Sequence, residues 1–213
     1  MEMDDKPKRL ETGTTTVGVI ASGAVVLGAD RKATMGYLVS SKKVPKIIQI
    51  DDRMAMTTAG MVGDAQALAR YIKAELKLYT MNEGHNASVK AASGIISNIL
   101  YSRRFYPYMV QLVIGGYDSA PRLYSLDAAG GLTEEKEYFS TGSGSVMAFG
   151  VLEDSYKDGL SVEEAKRLVA RSVKAATKRD IASGGSGIDL VVIDSRGFRK
   201  VSEDEVKKYT PVS

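Results

Sequence analysis

The feature that most constrains the fold is the alternation, along 213 residues, of strand-like blocks with pairs of amphipathic helices. Residues 14–20 and 24–29 are apolar, β-branched runs on either side of a short turn, so we predict a β-hairpin there. Extended segments are predicted to follow at residues 37–41, 47–50 and 54–59. The hydrophobic period then changes from two to about 3.6 residues, which predicts helices at residues 64–78 and 87–103.

A second block of strands and a second pair of helices repeat this order. Strands are predicted at residues 109–116, 122–126 and 137–140. A helix opens within residues 141–145 and runs to about residue 156. Ser161 and Glu164 have the spacing of a capping box and predict the start of the next helix. A last strand at residues 188–193 and a short helix at residues 203–208 complete the chain.

Runs of strands that alternate with helix pairs indicate an α+β fold rather than a βαβ array. Two antiparallel sheets covered by helix pairs would bury every apolar stripe. No linker or repeat of fixed period interrupts the chain, and its length suits one large core. Residues 1–13 contain four acidic and three basic residues. We therefore interpret them as a disposable polar leader before a single domain at residues 14–213.

Composition excludes several kinds of chemistry. The chain has no cysteine and one histidine, so disulfides, thiolate sites, histidine triads and multi-histidine metal sites are not expected. His85 lies in a turn-like segment and is predicted to be exposed. The net charge of +3 is weak and the basic runs are short pairs such as Lys42-Lys43, so no nucleic-acid partner is expected. We predict no membrane span and no signal peptide, and expect a cytoplasmic location.

Thr14 is the candidate nucleophile. If the chain is cut after Gly13, Thr14 carries both a hydroxyl and a free α-amine, and such an amine can act as the base for the hydroxyl. The site also needs a cation, a carboxylate to hold that cation, and N–H donors for the developing oxyanion. The chain offers candidates for these parts at Asp30, Lys46, Gly60, Ser143, Asp180 and Ser183.

Five motifs stand in one order along the chain. They are residues 13–18 (GTTTVG), 29–34 (ADRKAT), 59–60 with 63–64 (AG and GD), 141–145 (TGSGS), and 179–180 with 183–185 (RD and SGG). Together they resemble the proteasome β subunit, with the archaeal type closest, and the resemblance extends from Thr12 to about Ile193. It implies the N-terminal-nucleophile hydrolase fold, a four-layer αββα sandwich, and threonine endopeptidase activity without a metal or organic cofactor.

The resemblance implies a role for each candidate residue. Thr14 would become the N-terminal nucleophile after autocatalytic cleavage of the Gly13–Thr14 bond, which makes residues 1–13 a propeptide. Asp30 and Lys46 match a carboxylate–lysine pair that activates the Thr14 hydroxyl or relays its proton. The Gly60 N–H would supply the oxyanion hole. The network around the Thr14 amine would consist of Ser143, Asp180 and Ser183.

The resemblance also implies how substrate binds. An extended peptide would add as a strand along Thr34 and Gly60. The pocket for the side chain before the cut matches small or apolar residues, which predicts cleavage after apolar residues. These pocket positions are Ala33, Val44, Ile48, Thr58, Ala59 and Val62. In one departure from the family pattern, Lys32 stands where arginine is common, and lysine cannot reproduce a bidentate guanidinium contact.

The implied partners are homo-oligomeric β rings of seven subunits, stacked α-subunit rings, an ATP-dependent unfoldase and unfolded polypeptide substrates. Three alternatives remain open. A bacterial two-component ATP-dependent protease has a peptidase shorter than residues 14–213. A non-catalytic ring scaffold of the same fold would begin with a helix and lack the cleavable Gly–Thr bond. An amidohydrolase of small amides would not need the peptide-binding positions Thr34 and Gly60.

Overall fold

The computed structural model describes residues 13–211, so the predicted leader, apart from Gly13, lies outside the described residues. The strands are β1 (Thr16–Ala21), β2 (Ala24–Asp30), β3 (Ala33–Met35), β4 (Leu38–Ser41), β5 (Ile47–Asp51), β6 (Met54–Gly60), β7 (Val110–Tyr117), β8 (Pro121–Leu126), β9 (Leu132–Glu135), β10 (Tyr138–Thr141), β11 (Ile188–Asp194) and β12 (Gly197–Lys200). The helices are α1 (Val62–Glu83), α2 (Val89–Ser102), α3 (Ser145–Ser155), α4 (Val162–Thr177) and α5 (Glu203–Tyr209).

Two five-stranded sheets form the middle of the molecule. The first has the order β10-β1-β2-β11-β12 and the second has the order β5-β6-β7-β8-β9. Every neighbouring pair is antiparallel. The strands β3 and β4 form a separate small hairpin beside them.

The strand β2 is buried at all seven positions, because both of its faces are covered. On one face, Val26 belongs to an apolar cluster with Val169 of α4. On the other face, Leu27 packs in a cluster with Leu123 of the second sheet. A further cluster joins the outer face of the second sheet to α1 and α2. The layers therefore run helix, sheet, sheet, helix, which confirms the predicted αββα sandwich.

The predicted strands and helices are confirmed, with shifts at their ends. The helix predicted to open within residues 141–145 begins at Ser145, because Gly142 has a φ of +92°, outside the helical region. The helix α1 continues past residue 78 to Glu83. The strands β3 and β9 carry no apolar alternation that would indicate them in the sequence, since most of their positions are partly or fully exposed.

Two smaller predictions are also confirmed. His85 is exposed in the loop between α1 and α2. Ser161 and Glu164 form the capping box of α4: the Ser161 hydroxyl accepts the Glu164 N–H, and the Glu164 carboxylate accepts the Ser161 N–H at 2.8 Å. Within residues 13–211, no helix is long and apolar enough to cross a membrane.

Ser161→Ala should lower the free energy of unfolding by about 1 kcal/mol, because it leaves the Glu164 N–H without its cap. Ser155→Ala is the matched control, since the Ser155 hydroxyl bonds only locally, to the neighbouring Asp154; its effect should stay below about 0.5 kcal/mol. Urea unfolding of each variant measures the difference. Equal effects at the two serines would contradict a capping role.

Candidate active site

The start of β1 lies between two loops that the chain supplies more than 120 residues later. In the turn before α3, the Gly144 N–H donates to the Thr14 carbonyl at 3.2 Å. Gly142 comes so close that a Cβ there would lie 2.1 Å from the Thr14 carbonyl oxygen. Its φ of +92° also favours glycine. The glycines of this motif therefore let the turn before α3 pack against the backbone of the candidate nucleophile.

Three predicted residues come together beside the Thr14 nitrogen and form what we call the amine-side network: Ser143, Asp180 and Ser183. The Thr14 N–H donates to Ser143 Oγ at 3.2 Å. The Ser143 hydroxyl in turn donates to Asp180 Oδ2 at 2.6 Å. The Ser183 hydroxyl donates to the same carboxylate oxygen at 2.5 Å. One carboxylate thus holds both serines in place.

Asp30 and Lys46 form a buried ion pair, with Lys46 Nζ 2.7 Å from Asp30 Oδ1. Asp30 is fully buried and Lys46 is 4% exposed. Burial lowers the pKa of Lys46 from its ordinary value, and the negative charge of Asp30 opposes this shift. A lysine whose pKa is lowered exchanges its proton more readily near neutral pH, as a proton relay requires.

The backbone around Asp30 explains how a full charge can be buried there. The Thr15 N–H donates to Oδ1 at 2.9 Å. The N–H groups of Lys32 and Gly184 donate to Oδ2 at 3.1 and 2.8 Å. A carboxylate that accepts several N–H groups and an ammonium keeps its charge without water. The ion pair is thus anchored to the start of β1 and to the loop after α4.

The Thr14 hydroxyl lies beside the bond that it is predicted to cut, because Thr14 Oγ1 donates to the Gly13 carbonyl oxygen at 2.6 Å. Gly13 itself has no room for a side chain, since a Cβ there would lie 1.7 Å from the Ala182 Cβ. The Gly13 N–H donates to Thr34 Oγ1 at 3.3 Å. The residue before the nucleophile is therefore enclosed by the loop after α4 and by the strand β3.

A cavity opens next to Thr14. Its lining residues are Gly13, Thr14, Lys32, Ala33, Thr34, Val44, Pro45, Lys46, Ile48, Thr58, Gly60, Val62, Ala65 and Gln66. All but one of the predicted substrate-binding positions are among them. The exception is Ala59, which is buried and does not line the cavity. Successive residues of a strand point to opposite faces, so Thr58 and Gly60 face the cavity and Ala59 faces away. Ala59 thus lies behind the cavity wall, and its assignment to the substrate pocket stays a prediction.

Sequence reasoning missed several residues that the structure brings to the site. Ala65 and Gln66 contribute a wall of the cavity from the first turns of α1. Lys32, considered above only as a departure from a family pattern, lines the cavity and donates from Nζ to the Ile181 carbonyl at 2.5 Å. Thr15 lies between the amine-side network and Asp30. For Ala65 and Gln66 the available signal was their closeness to the Gly63-Asp64 motif.

The αββα sandwich, with a threonine just before its first strand, is the architecture of N-terminal-nucleophile hydrolases. A family model described as "Proteasome subunit" matches residues 10–193. The chain belongs to the proteasome subunit family, which confirms the resemblance inferred from the motifs.

Archaeal relatives match over nearly the whole chain. "Proteasome subunit beta 1" of Thermococcus kodakarensis is 51% identical over 92% of this chain and 95% of its own length. "Proteasome subunit beta 2" of Ignicoccus hospitalis is 53% identical, covering 93% of this chain and 92% of its own length. "Proteasome subunit beta" of Methanoregula boonei is 48% identical and covers 97% of both chains.

Lys46→Met should lower the free energy of unfolding by about 3 kcal/mol, because it leaves the Asp30 carboxylate buried without its cation. Lys42→Met changes an exposed lysine four residues earlier and should have an effect below about 0.5 kcal/mol. Urea unfolding measures both. Adding Asp30→Asn to Lys46→Met should restore part of the loss, since an amide is less costly to bury than a carboxylate. No restoration would show that the ion pair is not the cause.

Proposed function

We propose that this protein is the catalytic β subunit of a 20S-type proteasome, a threonine endopeptidase that cleaves unfolded polypeptides. The observation that carries the proposal is the position of Thr14. Its nitrogen contacts the amine-side network through Ser143, and its side chain shares a cavity with Lys46. Nucleophile, cation, carboxylates and an apolar pocket therefore meet at one residue, as threonine hydrolysis requires.

The first reaction of this enzyme is proposed to be its own maturation. The Thr14 hydroxyl attacks the Gly13 carbonyl carbon, and its proton passes to Lys46 in its neutral amine form, which the lowered pKa of this lysine makes accessible. The new C–O bond gives an ester once the Gly13–Thr14 C–N bond breaks and the nitrogen takes a proton. Water then hydrolyses the ester, leaving a carboxylate on Gly13 and a free hydroxyl and amine on Thr14. Residues 1–13 would be the propeptide and residues 14–213 the mature single-domain subunit.

Substrate hydrolysis would repeat this chemistry in a bimolecular form. The Thr14 hydroxyl attacks the scissile carbonyl of a bound peptide, and the neutral amine of Thr14 accepts the proton and later delivers it to the leaving nitrogen. Lys46 places a positive charge near the hydroxyl, which favours the alkoxide. The Gly60 N–H is the proposed donor to the oxyanion. Water then releases the acyl part from Thr14.

The partners are proposed from the family and from the names of the relatives. Those relatives are called proteasome subunit beta, which supports assembly with other proteasome subunits. We propose heptameric homo-oligomeric β rings stacked against α-subunit rings and working with an ATP-dependent unfoldase in the cytoplasm. Enclosure inside a ring would keep an unselective nucleophile away from folded proteins. A non-catalytic scaffold subunit of the same fold is the competing function.

Thr14→Ala should abolish both propeptide removal and peptide cleavage, because both reactions use the same hydroxyl. Mass spectrometry of the assembled wild-type particle should find Thr14 as its first residue, and the variant should keep residues before it. Lys42→Ala, an exposed lysine outside the cavity, should be processed and active. Cleavage at the wild-type rate by Thr14→Ala, or full activity in an unprocessed particle, would favour the scaffold function.

Peptides with leucine before the cut should be cleaved with a kcat/KM about tenfold or more above that of matched peptides with arginine. The cavity has apolar walls at Ala33, Val44, Ile48 and Val62, and its cations, Lys32 and Lys46, would repel a basic side chain. Burying an unpaired charge among such groups is costly. Fluorogenic peptides that differ only at this position measure the ratio. A preference for arginine would contradict the assigned pocket.

A further inference from the structure

Thr15, the residue after the nucleophile, contacts both halves of the site. Its backbone N–H donates to Asp30 Oδ1 at 2.9 Å, and its carbonyl accepts the Asp30 N–H at 3.2 Å. Its side chain reaches the other half, with Thr15 Oγ1 2.6 Å from Ser183 Oγ. Thr15 is fully buried. By the sequence alone it is one of three successive threonines with a preference for a strand.

The direction of the bond between the Thr15 and Ser183 hydroxyls follows from counting hydrogens. The Ser183 hydroxyl has one hydrogen, which it donates to Asp180 Oδ2. An ionised carboxylate can only accept, so this hydrogen is not available elsewhere. Ser183 Oγ must therefore accept the hydrogen of Thr15 Oγ1. Two chains of donors thus converge on Asp180: Thr14 N–H through Ser143, and Thr15 O–H through Ser183.

We propose that the Thr15 hydroxyl is a positioning group for catalysis: by holding Ser183 it orients Asp180 and, through Ser143, the amine of Thr14. This inference rests on the proposed function, in which that amine is the base. Thr15 does not line the substrate cavity, so it acts on the base and not on peptide binding. Because its backbone is bonded to Asp30, it also holds the amine-side network in register with the Asp30–Lys46 pair.

The packing around Thr15 leaves no replacement for its hydroxyl. A Cβ on Gly144 would lie 2.0 Å from Thr15 Oγ1 and 3.1 Å from Ser183 Oγ. Ser183 is itself only 3% exposed. Bulk water cannot reach the oxygen that loses its donor when Thr15 is changed. The geometry also gives Gly144 a reason to be glycine, since any side chain would displace the Thr15 hydroxyl.

Thr15→Val tests this proposal, because valine keeps the shape and the strand preference of threonine but removes the donor. Thr15→Ser restores the donor. The matched control is Thr16→Val, which removes a hydroxyl that is equally buried but bonded to Thr57 and Thr141 at 2.8 and 2.7 Å instead of to Ser183. Both valine variants remove a buried hydroxyl from β1 or its start, so a general loss of stability affects them alike.

The assembled and processed particle of each variant is assayed with a fluorogenic peptide, and activity is normalised to the fraction of chains that begin at Thr14. For Thr15→Val we expect kcat to fall about tenfold or more, because the base is no longer held in the attacking geometry. KM should change by less than about twofold. Thr15→Ser should retain at least about half of the wild-type kcat, and Thr16→Val should stay within about twofold of it.

The pH profile of kcat provides a readout that loosened packing would not change. The charged groups around the Thr14 nitrogen are Asp180, which is reached through Ser143, Lys46 and Lys32 in the cavity wall, and Asp30, which is buried behind Lys46. Without the hydrogen bond from Thr15, the Ser183 hydroxyl is a weaker and less fixed donor to Asp180. The Asp180 charge is then less satisfied and attracts the protonated amine more strongly. The acid limb of kcat should therefore move to higher pH by about half a unit in Thr15→Val and stay in place in Thr16→Val.

The outcomes distinguish the positioning role of Thr15 from the proposed function itself. A wild-type kcat and pH profile in Thr15→Val, or an equal loss in Thr16→Val, overturns the positioning role. If Thr15→Val does not assemble, Thr15→Cys is tested in its place, because a thiol is only a weak donor. The kcat of Thr15→Cys should lie between the wild-type value and the tenfold-reduced value expected for Thr15→Val. A wild-type kcat in Thr15→Cys overturns the positioning role. Peptide cleavage retained by Thr14→Ala overturns the proposed function itself, whatever the Thr15 variants do.

Discussion

The carboxylate of Asp30 is buried at the end of β2, and the rest of the site depends on how its charge is satisfied. Its oxygens accept from Lys46 Nζ and from the N–H groups of Thr15, Lys32 and Gly184. Lys32 is a near neighbour of Asp30 in the chain, and the other three donors come from three further segments, so four segments meet at this carboxylate. An isolated carboxylate in an apolar interior costs several kcal/mol or more, so the fold is most stable when all four segments close around it.

The topology of the first sheet explains why the two halves of the site meet. In the antiparallel hairpin, Thr16 lies opposite Ala29, so the start of β1 and the end of β2 lie at the same end of the sheet. The strand β11 pairs with β2 so that Ile188 lies opposite Asp30. The loop that leads into β11 therefore places Asp180 and Ser183 at the same end of the sheet. The strands β1 and β2 therefore hold the Asp30–Lys46 pair on one side of Thr14. The glycine-rich loop before β11 holds the amine-side network on the other side.

This arrangement is already complete while Gly13 is still attached. The Thr14 nitrogen is then an amide that donates to Ser143, and the Asp30–Lys46 pair is in place beside it. On the proposed mechanism, the uncut chain therefore lacks only the free amine. Cleavage would add that base to a site whose other parts are preorganised, which is the property that electrostatic catalysis depends on.

Local sequence patterns determined much of this protein. The periodicities indicated both sheets and both helix pairs, the Ser161–Glu164 spacing indicated a helix start, and the ordered motifs indicated the family and six residues that the structure gathers around Thr14. These signals are local or depend on order along the chain, so they can be read without coordinates. Which side of a strand faces the cavity, and which distant groups share a hydrogen bond, are decided by register and by packing between layers. For that reason only the tertiary structure turned Ala59 away from the cavity, brought Gln66 to its wall, and placed the Thr15 hydroxyl against Ser183, 168 residues further along the chain.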